Sequence, residues 1–171
     1  MNILRHLRPD CIRLELETSA GDPPEDETDA QRAKREAAVK ETLLEEFAEL
    51  LSRSGAIANP SKFCRDLINR ERKATTGIAP GIAIPHVRSM QVRTFIMGLG
   101  RAAPPGLPFA SLDGEPTRLF LLLASPPYED RIYLQVYREF ANLIKDEAAM
   151  DGLMAASNPQ DVFQVLRGHF R

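Results

Sequence analysis

The sequence predicts an α/β layered domain on three observations. Residues 119–123 (Leu-Phe-Leu-Leu-Leu) are apolar at every position, as in a strand buried on both faces. Several other segments repeat apolar residues at the three-and-four spacing of an amphipathic helix. Strand-like and helix-like segments alternate along the chain, which is the pattern of a sheet covered by helices. A length of 171 residues suits one domain, 1–171, with a single compact core, and no internal repeat is visible.

The first element is a strand over 11–18, where Cys11, Ile12, Leu14 and Leu16 alternate with Arg13, Glu15 and Glu17. Gly21, Pro23, Pro24 and five acids between Asp22 and Asp29 follow. So charged a stretch has little apolar surface to bury, and a flexible acidic insertion is expected over 20–35. From about 29 to 54 the period turns helical, with Val39, Leu43, Leu44, Phe47, Leu50 and Leu51 on one face and Lys40, Glu41, Glu45 and Glu46 largely on the other. Gly55 ends it. Asn59 and Pro60 have the form of an N-cap and a first-position proline, opening a second helix through Phe63, Leu67 and Ile68 to about 70–72. Strands are expected over 92–99 and 117–124, joined by a proline- and glycine-rich loop at 104–116. A helix over 130–145 turns Leu134, Val136, Tyr137, Phe140, Ala141 and Ile144 inward, and Asn158-Pro159 caps a last helix carrying Val162, Val165 and Leu166.

Lysine and arginine number 22 against 24 aspartates and glutamates, a formal charge of −2. A general nucleic-acid binder needs a basic face to displace phosphate counterions, so nucleic acid is not an expected partner. Cys11 and Cys64 fit no zinc or haem spacing and read as free thiols in a reducing compartment. No apolar run approaches the length of a membrane span, and the N-terminus has no signal-peptide core. A cytoplasmic protein with no membrane insertion, metal or cofactor is expected.

Residues 75–86, Thr-Thr-Gly-Ile-Ala-Pro-Gly-Ile-Ala-Ile-Pro-His, have neither a helical nor a simple strand period. Two glycines and two prolines restrict and redirect the backbone, so His86 is expected in one position on a stiff, exposed loop. His6 and His169 lie near the termini beside ordinary residues and carry no such signal. A neutral imidazole can attack a phosphoryl group, and such a transfer needs an aligned nucleophile with cations or N–H groups for the equatorial oxygens. No Gly-x-Ser-x-Gly elbow, nucleotide-binding Gly-Lys loop or zinc cluster is present, so a hydrolase or metal enzyme centred on His86 is disfavoured.

Arg70-Glu71, Thr75-Thr76-Gly77-Ile78 and Gly81-Ile82-Ala83-Ile84-Pro85-His86, at their mutual spacing, resemble the phosphorylation-site signature of the fructose/mannitol-type EIIA domains of the sugar phosphotransferase system, nearest their nitrogen-regulatory branch. The resemblance extends over 3–16, 39–69 and 119–166; only 21–35 has no counterpart. It implies a three-layer domain with a mixed central sheet flanked by helices. It also implies that His86 accepts phosphate from an HPr-type phosphocarrier for a downstream transporter or regulatory protein. Arg70 is then the phosphate-stabilising cation, or else a solvated charge at a helix C-terminus. Thr75 and Thr76 either lend donors to the phosphate or serve a turn. Arg72, Lys73 and Arg88 add local positive charge.

Two positions depart from the family pattern. Tyr133 stands where many members have a second histidine, and a phenol offers one hydrogen bond but no charge. Val87 follows the histidine where glycine is common, and a β-branched residue tolerates positive φ poorly. The alternative they leave open is a non-catalytic EIIA-like module that docks on a partner without chemistry.

Overall fold

The computed structural model describes residues 2–170. A 3₁₀ turn, Ile3–His6, leads into β1 (Leu7–Arg13), followed by α1 (Asp29–Ser52) and α2 (Pro60–Lys73). Three short strands come next, β2 (Gly77–Ala79), β3 (Ile82–Ala83) and β4 (His86–Arg88), then β5 (Ile96–Arg101), β6 (Leu119–Ser125), α3 (Asp130–Ile144), α4 (Glu147–Ala155) and α5 (Pro159–His169). The sheet runs β1-β5-β6-β3-β2, with β4 also paired to β6. β6 is antiparallel to β5 and parallel to β3 and β4, which makes the sheet mixed.

The physical reason for three layers is legible in β6. Its residues are all buried, and alternate side chains point to opposite faces. Leu119, Leu121 and Leu123 join Met97, Leu99, Val136, Phe140, Leu143, Leu153 and Leu166 beneath α3–α5. Phe120, Leu122 and Ala124 join Leu43, Phe47, Leu51, Phe63, Leu67 and Phe109 beneath α1 and α2. The expected single core is therefore divided by the sheet into two apolar layers.

Helix boundaries agree with their caps. The Thr28 side chain accepts from Gln31 N and the Gln31 side chain from Thr28 N, a capping box for α1, while Asn59 and Asn158 cap α2 and α5 with proline at the first turn. The 20–35 reading divides here: 29–35 is helical, and Glu27 is paired with Arg35 at 2.7 Å. Strands 11–18 and 92–99 are displaced to Leu7–Arg13 and Ile96–Arg101, because β1 pairs β5 through an irregular register and Val92 instead bridges Ile57. Sequence reading missed α4, whose signal was an Asp146 cap before Glu147 and two alanines.

β5 lies between β1 and β6 so closely that Gly98 has no room for a methyl group. A Cβ there would sit 2.9 Å from the Cys11 carbonyl oxygen and 3.0 Å from Leu51 Cδ2. Gly98→Ala is expected to destabilise the domain by about 1–3 kcal/mol through overpacking. Denaturant midpoints should show this loss, whereas Gly168→Ala, with open space at its Cβ, should show none.

Candidate functional site

The segment 75–86 is a folded-back ribbon, not the exposed loop expected. β2 and β3 form an antiparallel pair around Gly81, whose φ of +72° needs a residue without Cβ. Pro85 interrupts the pairing, so β3 and β4 run end to end along the same side of β6, with His86 opposite Leu123. His86 is thus a strand residue, only 8% exposed. Val87 is also extended and buried, packing in the α1–α2 layer; positive φ at that position does not arise.

A buried network anchors the ribbon. Glu71, 3% exposed, accepts from Thr76 N at 2.8 Å and Thr76 Oγ1 at 2.7 Å, and pairs with Lys40 at 2.9 Å. Thr76 O in turn accepts from Ile84 N at 3.0 Å. Thr75 Oγ1 donates to Phe109 O at 3.1 Å and accepts from Lys40 at 3.3 Å. Both threonine hydroxyls are therefore engaged away from His86, and neither residue is among those lining its cavity.

That cavity, of about 520 Å³, is lined by Asp66, Asn69, Arg70, Lys73, His86, Val87, Arg88 and Tyr133. His86 Nδ1 lies 2.6 Å from the Ile84 carbonyl oxygen. A carbonyl only accepts, so Nδ1 carries the proton and Nε2 keeps its lone pair. Nε2 lies 3.3 Å from Arg70 Nη2, and Arg70 Nη1 donates to Ala74 O at 3.2 Å. Burial lowers the His86 pKa below its ordinary value, and the neighbouring Arg70 and Arg88 charges add to this against the Ile84 hydrogen bond and Glu71, which raise it. The imidazole is neutral at neutral pH, the form in which it is a nucleophile.

Two tyrosines of α3 wall the ring. Tyr133 and Tyr137 lie 5.7 and 5.6 Å from His86 between ring centroids. Burial raises the Tyr133 pKa, outweighing Arg88 and Arg70, so this phenol is neutral. Sequence reading placed Tyr137 on the apolar side of α3 and overlooked its contact with His86. It also passed over Asp66, whose carboxylate accepts from Ser89 Oγ at 2.6 Å, and Asn69. The signal was available: positions 66, 69, 70 and 73 form a polar stripe at helical spacing on α2.

The family described as phosphoenolpyruvate-dependent sugar phosphotransferase system, EIIA 2, matches residues 27–169. The chain belongs to this family. The match starts at 27, so the later part of the 20–35 segment falls within it. A nitrogen regulatory protein of Pseudomonas aeruginosa is 28% identical over 127 residues, 74% of this EIIA chain and 82% of that protein. The fructose-specific EIIABC component of Bacillus subtilis is 26% identical over 134 residues, 78% of this chain but 21% of that longer protein. The crystal structure of the nitrogen regulatory protein IIA-Ntr from Neisseria meningitidis superposes with a TM-score of 0.78 at 24% identity, covering 97% of this chain and 99% of that one. That superposition bears out the three-layer fold with a mixed sheet. Among the described residues no helix of this EIIA domain is long and apolar enough to cross a membrane.

Proposed function

We propose that this EIIA domain is a phosphohistidine carrier and regulator that takes a phosphoryl group on Nε2 of His86 from an HPr-type phosphocarrier. The observation that carries the reading is the division of labour on one ring. Nδ1 is tied to the Ile84 carbonyl, while Nε2 is beside a guanidinium and next to the cavity.

In the transfer, the Nε2 lone pair attacks phosphorus while the P–N bond to the donor imidazole breaks, its electron pair returning to that nitrogen. If the donor's other ring nitrogen holds a proton, the donor leaves neutral and no proton is released. His86 keeps its Nδ1 proton and becomes a phosphorylated imidazolium, whose charge the Ile84 carbonyl favours. Arg70 stabilises the equatorial oxygens, where charge accumulates in a loose phosphoryl transition state. Thr75 and Thr76 act through the ribbon instead of on the phosphate. The receiving partner is a transporter subunit or regulatory protein. Tyr133 in place of a second histidine supports the rival reading, a docking module without chemistry.

Intact-mass spectrometry at neutral to alkaline pH, after incubation with phosphoenolpyruvate, enzyme I and an HPr-type carrier, separates the two. One phosphate on the parent and none on His86→Ala is expected; an unlabelled parent with cognate carriers would leave the docking module. Because His86 is buried against two tyrosines, His86→Ala is also expected to lose about 1–3 kcal/mol of stability while remaining folded.

The pH profile follows from the depressed pKa. Protonation blocks Nε2, so the acid decline of the initial labelling rate should be centred below the ordinary histidine value of 6.5. A decline centred above 6.5 would contradict the buried, neutral placement. Arg70 depresses this pKa, so its replacement should move the acid limb upward.

A further inference from the structure

Resting on the assignment of His86 as phosphoryl acceptor, we propose that Arg88 is a second phosphate ligand of the site and that Tyr133 is its positioning residue, acting through the face of its ring. Side chains of a strand alternate, so His86 and Arg88 leave β4 on the same side while Val87 enters the core between them. Both line the same cavity. From the facing helix, Asp130, Tyr133 and Tyr137 are spaced by three and four residues and present one stripe. The Arg88 guanidinium carbon lies 4.3 Å from the Tyr133 ring centroid, and Nη1 donates to Asp130.

The phenol of Tyr133 brings no charge of its own, but its electron-rich face can hold a cation. The cation it holds is an arginine, whose planar fork matches two phosphate oxygens. The cavity lining then carries Arg70, Lys73 and Arg88 against the single carboxylate of Asp66. The Arg88–Asp130 pair is solvent-exposed, with side-chain exposures of 39% and 64%, so exchanging Asp130 for phosphate costs little. The Tyr133 ring keeps the guanidinium in place during that exchange.

The test uses the full chain, with inorganic phosphate as probe and the His86 ring resonances as readout, beside the relay labelling rate. Arg88→Gln should weaken phosphate binding about tenfold, the effect of losing a charge-assisted contact. Tyr133→Ala should weaken it equally, Tyr133→Phe should bind like the parent, and Arg88→Gln with Tyr133→Ala should lose no more than either alone. Unchanged binding in Arg88→Gln, or no binding by the parent, would overturn the assignment of Arg88. Loss in Tyr133→Phe equal to that in Tyr133→Ala would overturn the platform, because the hydroxyl would then be the active group. Normal relay labelling with normal phosphate binding in Arg88→Gln defeats this proposal and leaves the His86 reading standing. An unlabelled parent with the predicted binding pattern does the reverse.

Discussion

Arg70→Gln is expected to slow phosphorylation of His86 by about two to three orders of magnitude, the range found when one preorganised donor to a developing anion is removed. Arg70 is placed to do this from the last turn of α2, with one nitrogen on the Ala74 carbonyl and the other 3.3 Å from Nε2. Losing the Ala74 contact should change stability by only about 1 kcal/mol, so the variant remains folded and the effect is separable from unfolding. Arg70→Lys keeps the charge but cannot reach both positions with a fixed fork, and should recover only part of the rate. Single-turnover labelling with saturating phosphorylated carrier measures the step directly. A rate within about threefold of the parent would show that the guanidinium does not stabilise the transition state.

Glu71→Ala is expected to destabilise the domain by about 3–5 kcal/mol, the cost of stripping one partner from a buried ion pair. The carboxylate is 3% exposed and serves three donors: Lys40 Nζ, Thr76 N and Thr76 Oγ1. Its removal leaves the Lys40 ammonium, whose side chain is 15% exposed, without its carboxylate partner. Adding Lys40→Met should recover much of the loss, because the uncompensated charge is then gone. The folded fraction should also label slowly, since Thr76 O holds Ile84 N and the Ile84 carbonyl orients His86. Urea midpoints for the parent, single and double variants give the coupling. A loss below about 1 kcal/mol in Glu71→Ala would mean the ribbon is held by its strand pairing alone.

How far the sequence is readable depends on whether the signal is local. Asn59-Pro60 and Asn158-Pro159 announce helix starts because a cap is settled within three residues, and α2 and α5 begin where they indicate. β6 announces its burial because every residue from Leu119 to Ala124 faces one apolar layer or the other. Strand ends are less legible. β1 and β5 begin where a remote partner offers hydrogen bonds, and that register is written in neither strand alone. The ribbon 77–88 shows the same limit, since its three short strands exist only because β6 lies beside β3 and β4 and β2 folds back on β3.

Composition, caps and the spacing of Arg70, Glu71, Thr75, Thr76 and the Gly81–His86 segment determined the α/β class, the family and the choice of His86 as the candidate centre. Only the tertiary structure decided that the two threonines are turned to Glu71, Lys40 and Phe109, and that Tyr137 stands beside His86. It alone seats Arg88 on the Tyr133 ring. The physical reason is that a cap or a strand period is settled by neighbours in sequence. The protonation of Nδ1, the access to Nε2 and the charge around it depend on groups brought together from α2, β4 and α3 by the packing of two helical layers on one sheet.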